Sequence, residues 1–235
     1  MTLYQNIIIL TGAGISAESG LATFRNKGGI WKKYDLMKLA TPEAFASNPD
    51  LVHEFYNARR SGLKKVNPNA AHYALARLDE KYPGNITLIT QNVDPLHERA
   101  GSRNLLHMHG ELNKARCVSC HSICPWFNDL FSQSICPGCG KAGNMRPHIV
   151  WFGEIPFHIE QINIRLAQCD LFISIGTSGN VYPAAGFVQA AQDFGAETVE
   201  LNLEPTDSRN LFSVAHYGKA TEIVPEYVAD LIRQE

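Results

Sequence analysis

I-I-I-L-T-G-A-G-I-S-A-E-S-G-L-A-T-F-R, residues Ile7 to Arg25, decides the fold. Four consecutive branched apolar residues, Ile7 to Leu10, run straight into Gly12 and Gly14. This reads as a buried strand ending in a tight turn. Gly12, Gly14 and Ala17 satisfy the dinucleotide pattern G-x-G-x-x-G/A, in which small residues permit the turn, a close approach of backbone N–H groups to a phosphate, and helix–strand packing. By itself the pattern fits a ligand-free strand-to-helix turn equally well.

The same arrangement recurs along the chain. Ile86 to Thr90 form a short apolar strand followed by Q-N-V-D and by Pro95, which can open a helix. Leu105 and Leu106 lead into H-M-H-G-E, Leu171 to Ile175 stop at G-T-S-G, and Thr198 to Leu203 carry Asn202 and Glu204 at their end. Helices are predicted between these strands. Thr41-Pro42 and Asn48-Pro49 are N-cap and first-turn pairs, the second opening a helix to about Ser61, and Asn69 opens another that ends near Pro83. Helical spacing also marks Phe157 to Gln168, Tyr182 to Phe194, and the amphipathic Thr221 to Arg233. Alternating strands and helices predict an α/β fold, a Rossmann-like doubly wound parallel sheet whose ligands sit beyond the carboxyl ends of the strands. Two segments, 30–68 and 113–146, interrupt the alternation and lack sheet-like periodicity. They are expected to form a smaller inserted domain, a helical module (30–68) plus a zinc ribbon (113–146), with 1–29, 69–112 and 147–235 making the main domain.

The chain has 235 residues, 45% of them hydrophobic, with 21 Lys+Arg against 23 Asp+Glu. It can bury a sizeable core, and a net charge of -2 gives no basic footprint for nucleic acid or an anionic membrane. No apolar run has the length of a membrane span, and few residues precede the first strand, so the expected location is the cytoplasm. Four of six cysteines fall into two C-x-x-C pairs, Cys117 with Cys120 and Cys136 with Cys139, with fifteen residues between the pairs. Each tight pair supplies two thiolates, and four filled positions make a closed, structural zinc site. His121 and Cys124 lie close enough to be rival ligands. Cys169, at a helix end, reads as packing.

Other polar residues have two readings each. His109, in a turn before Gly110, is either structural or a group that exchanges protons with a substrate; His107, two residues away, would share its face in a strand. Asn92 and Asp94 either cap the helix after Pro95 or touch a ligand. Thr177 and Ser178 either cap or hold ribose and phosphate. Tyr56 and Arg59, three residues apart on one helix face, either present a solvated charge or form a fork for a carboxylate.

Taken together, G-A-G-I-S from Gly12, T-F-R from Thr23, T-Q-N-V-D from Thr90, H-G-E from His109, the two C-x-x-C pairs, G-T-S from Gly176 and N-L-E from Asn202 resemble the sirtuins in order and spacing over nearly the whole chain. The resemblance implies a protein lysine deacylase with a Rossmann domain and a small zinc domain. It would consume NAD+, carry one structural Zn2+, and act as a monomer on acylated lysines of proteins. Free lysine, nicotinamide and O-acyl-ADP-ribose would be the products. By the same resemblance His109 is the general base and Asn92 its catalytic neighbour. NAD would be held by Gly12, Ala13, Gly14, Ser16, Glu18, Thr23, Phe24, Arg25 and Trp31, with Gln91, Asn92, Val93 and Asp94. Gly176, Thr177, Ser178, Asn202, Leu203, Glu204 and Ala220 would complete that site, under a lid at Gly28 to Trp31. Val150, Phe152, Gly153 and Glu154 would flank the acyl-lysine, its peptide adding as a strand.

A finer resemblance is to the bacterial desuccinylase and demalonylase branch, where a Tyr-x-x-Arg pair and a small residue, here Tyr56, Arg59 and Ala40, make a pocket for acidic acyl groups. Pro95 and Asn180 depart from the family pattern and blur substrate detail. Sirtuin-type mono-ADP-ribosyl transfer is the nearest alternative. An ordinary NAD dehydrogenase would need an acidic residue ending a second strand about twenty residues past Gly14, and none is found. A zinc-ribbon binding module would need a basic or exposed apolar face.

Overall fold

The computed structural model describes residues 4–23 and 35–233. Phe24, Arg25, Trp31 and the expected lid therefore lie outside the described residues. Strands β1 (Asn6–Thr11), β2 (Asn85–Thr90), β3 (Leu105–His107), β7 (Leu171–Ile175), β8 (Glu197–Asn202) and β9 (Val214–Tyr217) form one six-stranded sheet in the order β3-β2-β1-β7-β8-β9. Every neighbouring pair in it is parallel. The order runs outward in both directions from β1 and β7, so the topological switch point lies between those two strands.

The apolar run of β1 explains why helices cover both faces. Ile7 and Ile9 pack into a core with α4 (Ala70–Lys81) and α8 (Ala220–Arg233), whereas Ile8 and Leu10 pack with α6 (Ile159–Leu166) and α7 (Phe187–Asp193) on the other face. Side chains alternate across a strand, so a central strand covered on both faces reads as a continuous apolar run. The remaining helices are α1 (Gly14–Ala17), α2 (Pro42–Ser47), α3 (Pro49–Gly62) and α5 (Leu96–Ala100). The expected caps are in place. Thr41 Oγ1 accepts from the Ala44 amide at 3.0 Å, Asn48 Oδ1 from Leu51 at 3.1 Å, and Asn69 Oδ1 from Ala71 at 3.0 Å.

The cysteine segment shows no sheet-like periodicity in sequence, yet it carries the strands of the expected zinc ribbon. β4 (Gly110–Cys117), β5 (Ile123–Pro125) and β6 (Met145–Ile149) form an antiparallel sheet in the order β5-β4-β6. Its strands are short and its longest one is irregular between Glu111 and Ala115, which erases the alternation that marks a strand. Helix α3 packs on this sheet through Val52, Phe55 and Tyr56 in one core with Leu112 and Ile149, which Leu63 and Trp151 extend beyond the helix and the strand. Buried Arg60 ties the two together: Nε donates to the Leu112 carbonyl at 2.7 Å, and Nη1 donates to Asn57 Oδ1 at 2.7 Å, whose amide holds Leu130. Among the described residues no helix is long and apolar enough to cross a membrane.

Candidate active site

Two strand-end turns meet at the switch point. Gly12 N–H donates to the Ile175 carbonyl at 3.0 Å and Gly14 N–H to the Gly176 carbonyl at 2.8 Å. A Cβ at Gly12 would lie 2.8 Å from the Gly176 oxygen, and one at Gly14 would lie 2.7 Å from Gly176 Cα. The glycines are thus required first by the approach of the β1 and β7 turns to each other, and Gly176 itself has φ +59. Two amides expected to face a phosphate are already paired. Of the three in the turn, only that of Ala13 is left to a ligand among the described residues.

These turns open onto a cavity of about 1100 Å³. All described candidates for NAD and substrate line it except Ser16 and Asp94. One end holds Gly12, Gly176, Asn202, Glu204 and Ala220; the other holds Ala40, Tyr56, Arg59 and Phe152; Gln91, Asn92 and His109 also line it. Ala40 and Phe152 are joined directly, since the Ala40 carbonyl accepts from the Phe152 amide at 2.9 Å. The motif reading missed other wall residues, including Leu36, Phe55, Trp151, Ile155 and Thr206. They are apolar or isolated and carry no pattern of their own.

His109 and His107 do not share a face. β3 ends at His107, and Gly110, at φ +84, turns the chain into β4. A side chain at Gly110 would collide with the His148 carbonyl. His107 reaches away from the cavity: its Nδ1 contacts the Asn92 carbonyl at 3.2 Å and its Nε2 contacts Glu98 at 2.8 Å. Both partners are acceptors, so the site favours the imidazolium, the form in which both ring nitrogens donate. Burial opposes that charge, but the Glu98 carboxylate overrides it and raises the His107 pKa. His109 is the reverse case. Burial lowers its pKa, and its Nδ1 lies 3.1 Å from the Gln91 carbonyl. A carbonyl only accepts, so Nδ1 carries the proton and Nε2 is left as a base.

Below the cavity runs a buried polar layer. Ser16 Oγ donates to Asp94 Oδ2 at 3.1 Å and accepts from Asn92 Nδ2 at 3.2 Å; Asn92 Nδ2 also reaches the Gly12 carbonyl at 3.1 Å. Asp94 additionally caps α5 through the Leu96 amide at 3.1 Å. The two readings divide: Asp94 caps α5 and lies beneath the cavity wall, whereas Asn92 lines the cavity and caps no helix among the described residues. Burial raises the Asp94 pKa while these donors counter it. Thr11, Thr90 and His97 extend the layer, with Thr11 Oγ1 at 2.9 Å from Thr90 Oγ1 and 3.0 Å from His97 Nε2. Beside the sheet end, Thr177 Oγ1 accepts from Gln91 Nε2 at 2.9 Å and the Thr177 carbonyl accepts from Asn202 at 2.8 Å.

At the far end, Tyr56 is 2% exposed and its hydroxyl accepts from Trp151 Nε1 at 3.0 Å. Arg59 is half-buried, with its guanidinium 5.6 Å from the Phe55 ring. Burial lowers its pKa, against the attraction of Tyr56 and Asp94. Glu154 binds Arg146 at 2.6 Å and Arg116 at 2.8 Å, and it also accepts from the Trp151 amide at 2.8 Å. This buttresses the segment between β6 and α6.

The four paired cysteines bring their sulfur atoms within 4.8 Å of one another. Cys117 to Cys139 is 3.9 Å and Cys120 to Cys136 is 3.7 Å, close to the edge of about 3.8 Å expected for four thiolates around Zn2+. The donor set fits zinc with every position filled by protein. Cys124 points to the Ala115 carbonyl instead, and neither it nor His121 joins the cluster.

Comparison with known proteins agrees with this arrangement. The Sir2 family model matches residues 12–183. An NAD-dependent protein deacylase of Pasteurella multocida is 56% identical over 99% of this chain and 100% of its own length, and one of Caulobacter vibrioides is 53% identical over 97% of each. Among solved structures, a Sir2 homologue–NAD complex is 37% identical with a TM-score of 0.89, covering 98% of this chain and 91% of that one. A Sir2 bound to acetylated peptide is 28% identical, with a TM-score of 0.83 and 97% and 93% coverage. The chain belongs to the Sir2 family.

Proposed function

We propose that this chain is an NAD-dependent protein lysine deacylase that accepts acidic acyl groups, succinyl and malonyl, as well as acetyl. One observation carries the reading: a single cavity joins the Gly12–Gly176 switch point to Tyr56 and Arg59, and His109 lines it too. The full-length relatives named as NAD-dependent protein deacylases and the NAD and acetylated-peptide complexes of structural neighbours support it.

NAD supplies the ADP-ribose that receives the acyl group, with nicotinamide as the leaving group. The glycine turns and Asn202 bind its nucleotide portion at the strand ends. Asn92 has both of its described donor contacts directed at Gly12 and Ser16, so it offers its Oδ1 to the cavity. His109 takes a proton from the reacting hydroxyl at Nε2, while Gln91 keeps its ring in place through Nδ1. Arg59 and Tyr56 pair with a carboxylate at the end of the acyl chain. The zinc cluster holds β4 and the loops beside it and takes no part in proton transfer. A panel of acetyl-, malonyl-, succinyl- and glutaryl-lysine peptides with NAD, read by nicotinamide release, tests this reading. Turnover of acetyl-lysine alone would remove the acidic-group assignment.

A further inference from the structure

We infer that Trp151 sets specificity for acidic acyl groups by orienting and polarising the Tyr56 hydroxyl; this rests on the acyl pocket proposed above. A phenol keeps its O–H close to the ring plane, which allows two orientations. The indole Nε1–H, 3.0 Å away, occupies one side of the Tyr56 oxygen as a donor. The phenolic proton must then point to the other side. No described residue accepts it, although Tyr56 is 98% buried in the cavity wall beside Arg59. A buried hydroxyl whose donor is aimed and has no acceptor among the described residues fits a ligand that brings one, and a terminal carboxylate is that ligand.

The indole is itself held and charged. Trp151 is 2% exposed, its amide is fixed by Glu154, and the Arg146 guanidinium sits 3.2 Å from its ring centroid. A cation over the indole face draws electron density from the ring and strengthens the N–H as a donor. Hydrogen bonds in series polarise one another, so the chain Arg146, Trp151, Tyr56 makes the Tyr56 proton a stronger donor to a carboxylate. Burial also raises the Tyr56 pKa to about 12, which keeps that proton in place. An acetyl group has no terminal acceptor to use it.

The test compares wild type with Trp151→Phe, Tyr56→Phe and the double variant on succinyl- and acetyl-lysine peptides. Trp151→Phe keeps an aromatic ring and deletes the donor. The succinyl-to-acetyl ratio of kcat/KM is expected to fall about tenfold in each single variant, mainly through KM for the succinyl peptide, and no further in the double. Losses that multiply, or fall equally on both peptides, would overturn the inference. If Trp151→Phe does not fold, the Trp151 indole N–H resonance of the folded wild type decides: it is expected to move downfield on binding a succinyl peptide and to stay on binding an acetyl peptide. Identical shifts with both peptides would overturn it. A succinyl-selective loss in Arg59→Met beside a silent Trp151→Phe would sink this inference alone. A wild type without succinyl turnover would sink the pocket reading with it.

Discussion

The Nδ1 atom of His109 stands 3.1 Å from the backbone carbonyl of Gln91, at the loop that follows β2. That contact fixes the tautomer, because only a protonated Nδ1 can meet a carbonyl, and it leaves Nε2 as the ring's one basic atom. Burial lowers the His109 pKa and outweighs the Gln91 hydrogen bond, which raises it, so the ring is neutral at pH 7. His109→Ala is expected to cut turnover by about 10²–10⁴-fold on every acyl peptide, the range of a lost general base. As pH falls, the ring takes a proton and loses its function. The acid limb of kcat/KM should therefore lie below about pH 6.5, the value of free imidazole, and a limb above it would contradict the assignment.

In the proposed function Arg59 separates acyl groups by charge. Arg59→Met should lower kcat/KM for succinyl-lysine about 30-fold, the scale of one charge-assisted hydrogen bond, and act far less on acetyl-lysine. Steady-state kinetics on both peptides measures it, and equal losses would remove the carboxylate role.

Glu98 and His107 form a pair with a pH signature. Burial would raise the Glu98 pKa, but the His107 imidazolium overrides it and lowers it; the Glu98 carboxylate in turn raises the His107 pKa. A raised histidine contributes stability that is full below its unfolded pKa and fades as pH rises through the folded one. A lowered carboxylate contributes above its unfolded pKa and fades as pH falls through the folded one. The pair is thus strongest from about pH 4.5 to 6.5. The Glu98 side chain is 40% exposed, so Glu98→Gln should cost only about 0.5 kcal/mol in that window, less at higher pH. Thermal melting at several pH values checks this. A difference that grows above pH 7 would contradict it.

The zinc cluster should be structural. One zinc per chain is expected by metal analysis, lost in Cys136→Ser and kept in Cys124→Ser, whose sulfur faces the Ala115 carbonyl. Chelation should melt β4 to β6 with their loops and lower the melting temperature. A chelated protein with unchanged melting would refute the role.

Much of this was legible in residue order. Buried strands such as Ile7–Leu10 are continuous apolar runs because helices cover both faces, and each is followed by polar residues at its carboxyl end, so the sheet and the strand-end lining of the cavity could be read directly. The C-x-x-C pairs named their four sulfurs through spacing alone. β9 was not legible: Val214–Tyr217 is a short edge strand with three of its four residues exposed, and it shows no alternation. The β4–β6 sheet was hidden by its irregular register. Nothing in the sequence separates Arg60 from its neighbour Arg59, and about 100° of helix rotation sends it to the Leu112 carbonyl instead of the cavity. The His107 imidazolium and the Trp151–Tyr56 bond join residues 9 to 95 positions apart, and only the tertiary structure shows them.

In the proposed function one cavity couples NAD cleavage to lysine deacylation. Incubation of the enzyme with NAD labelled in the adenine ring and an acyl-lysine peptide, followed by mass spectrometry, measures it directly. Nicotinamide, unmodified lysine peptide and labelled O-acyl-ADP-ribose should appear in equal amounts, with no label on protein. Label attached to protein or peptide, or deacylation without nicotinamide release, would contradict the account.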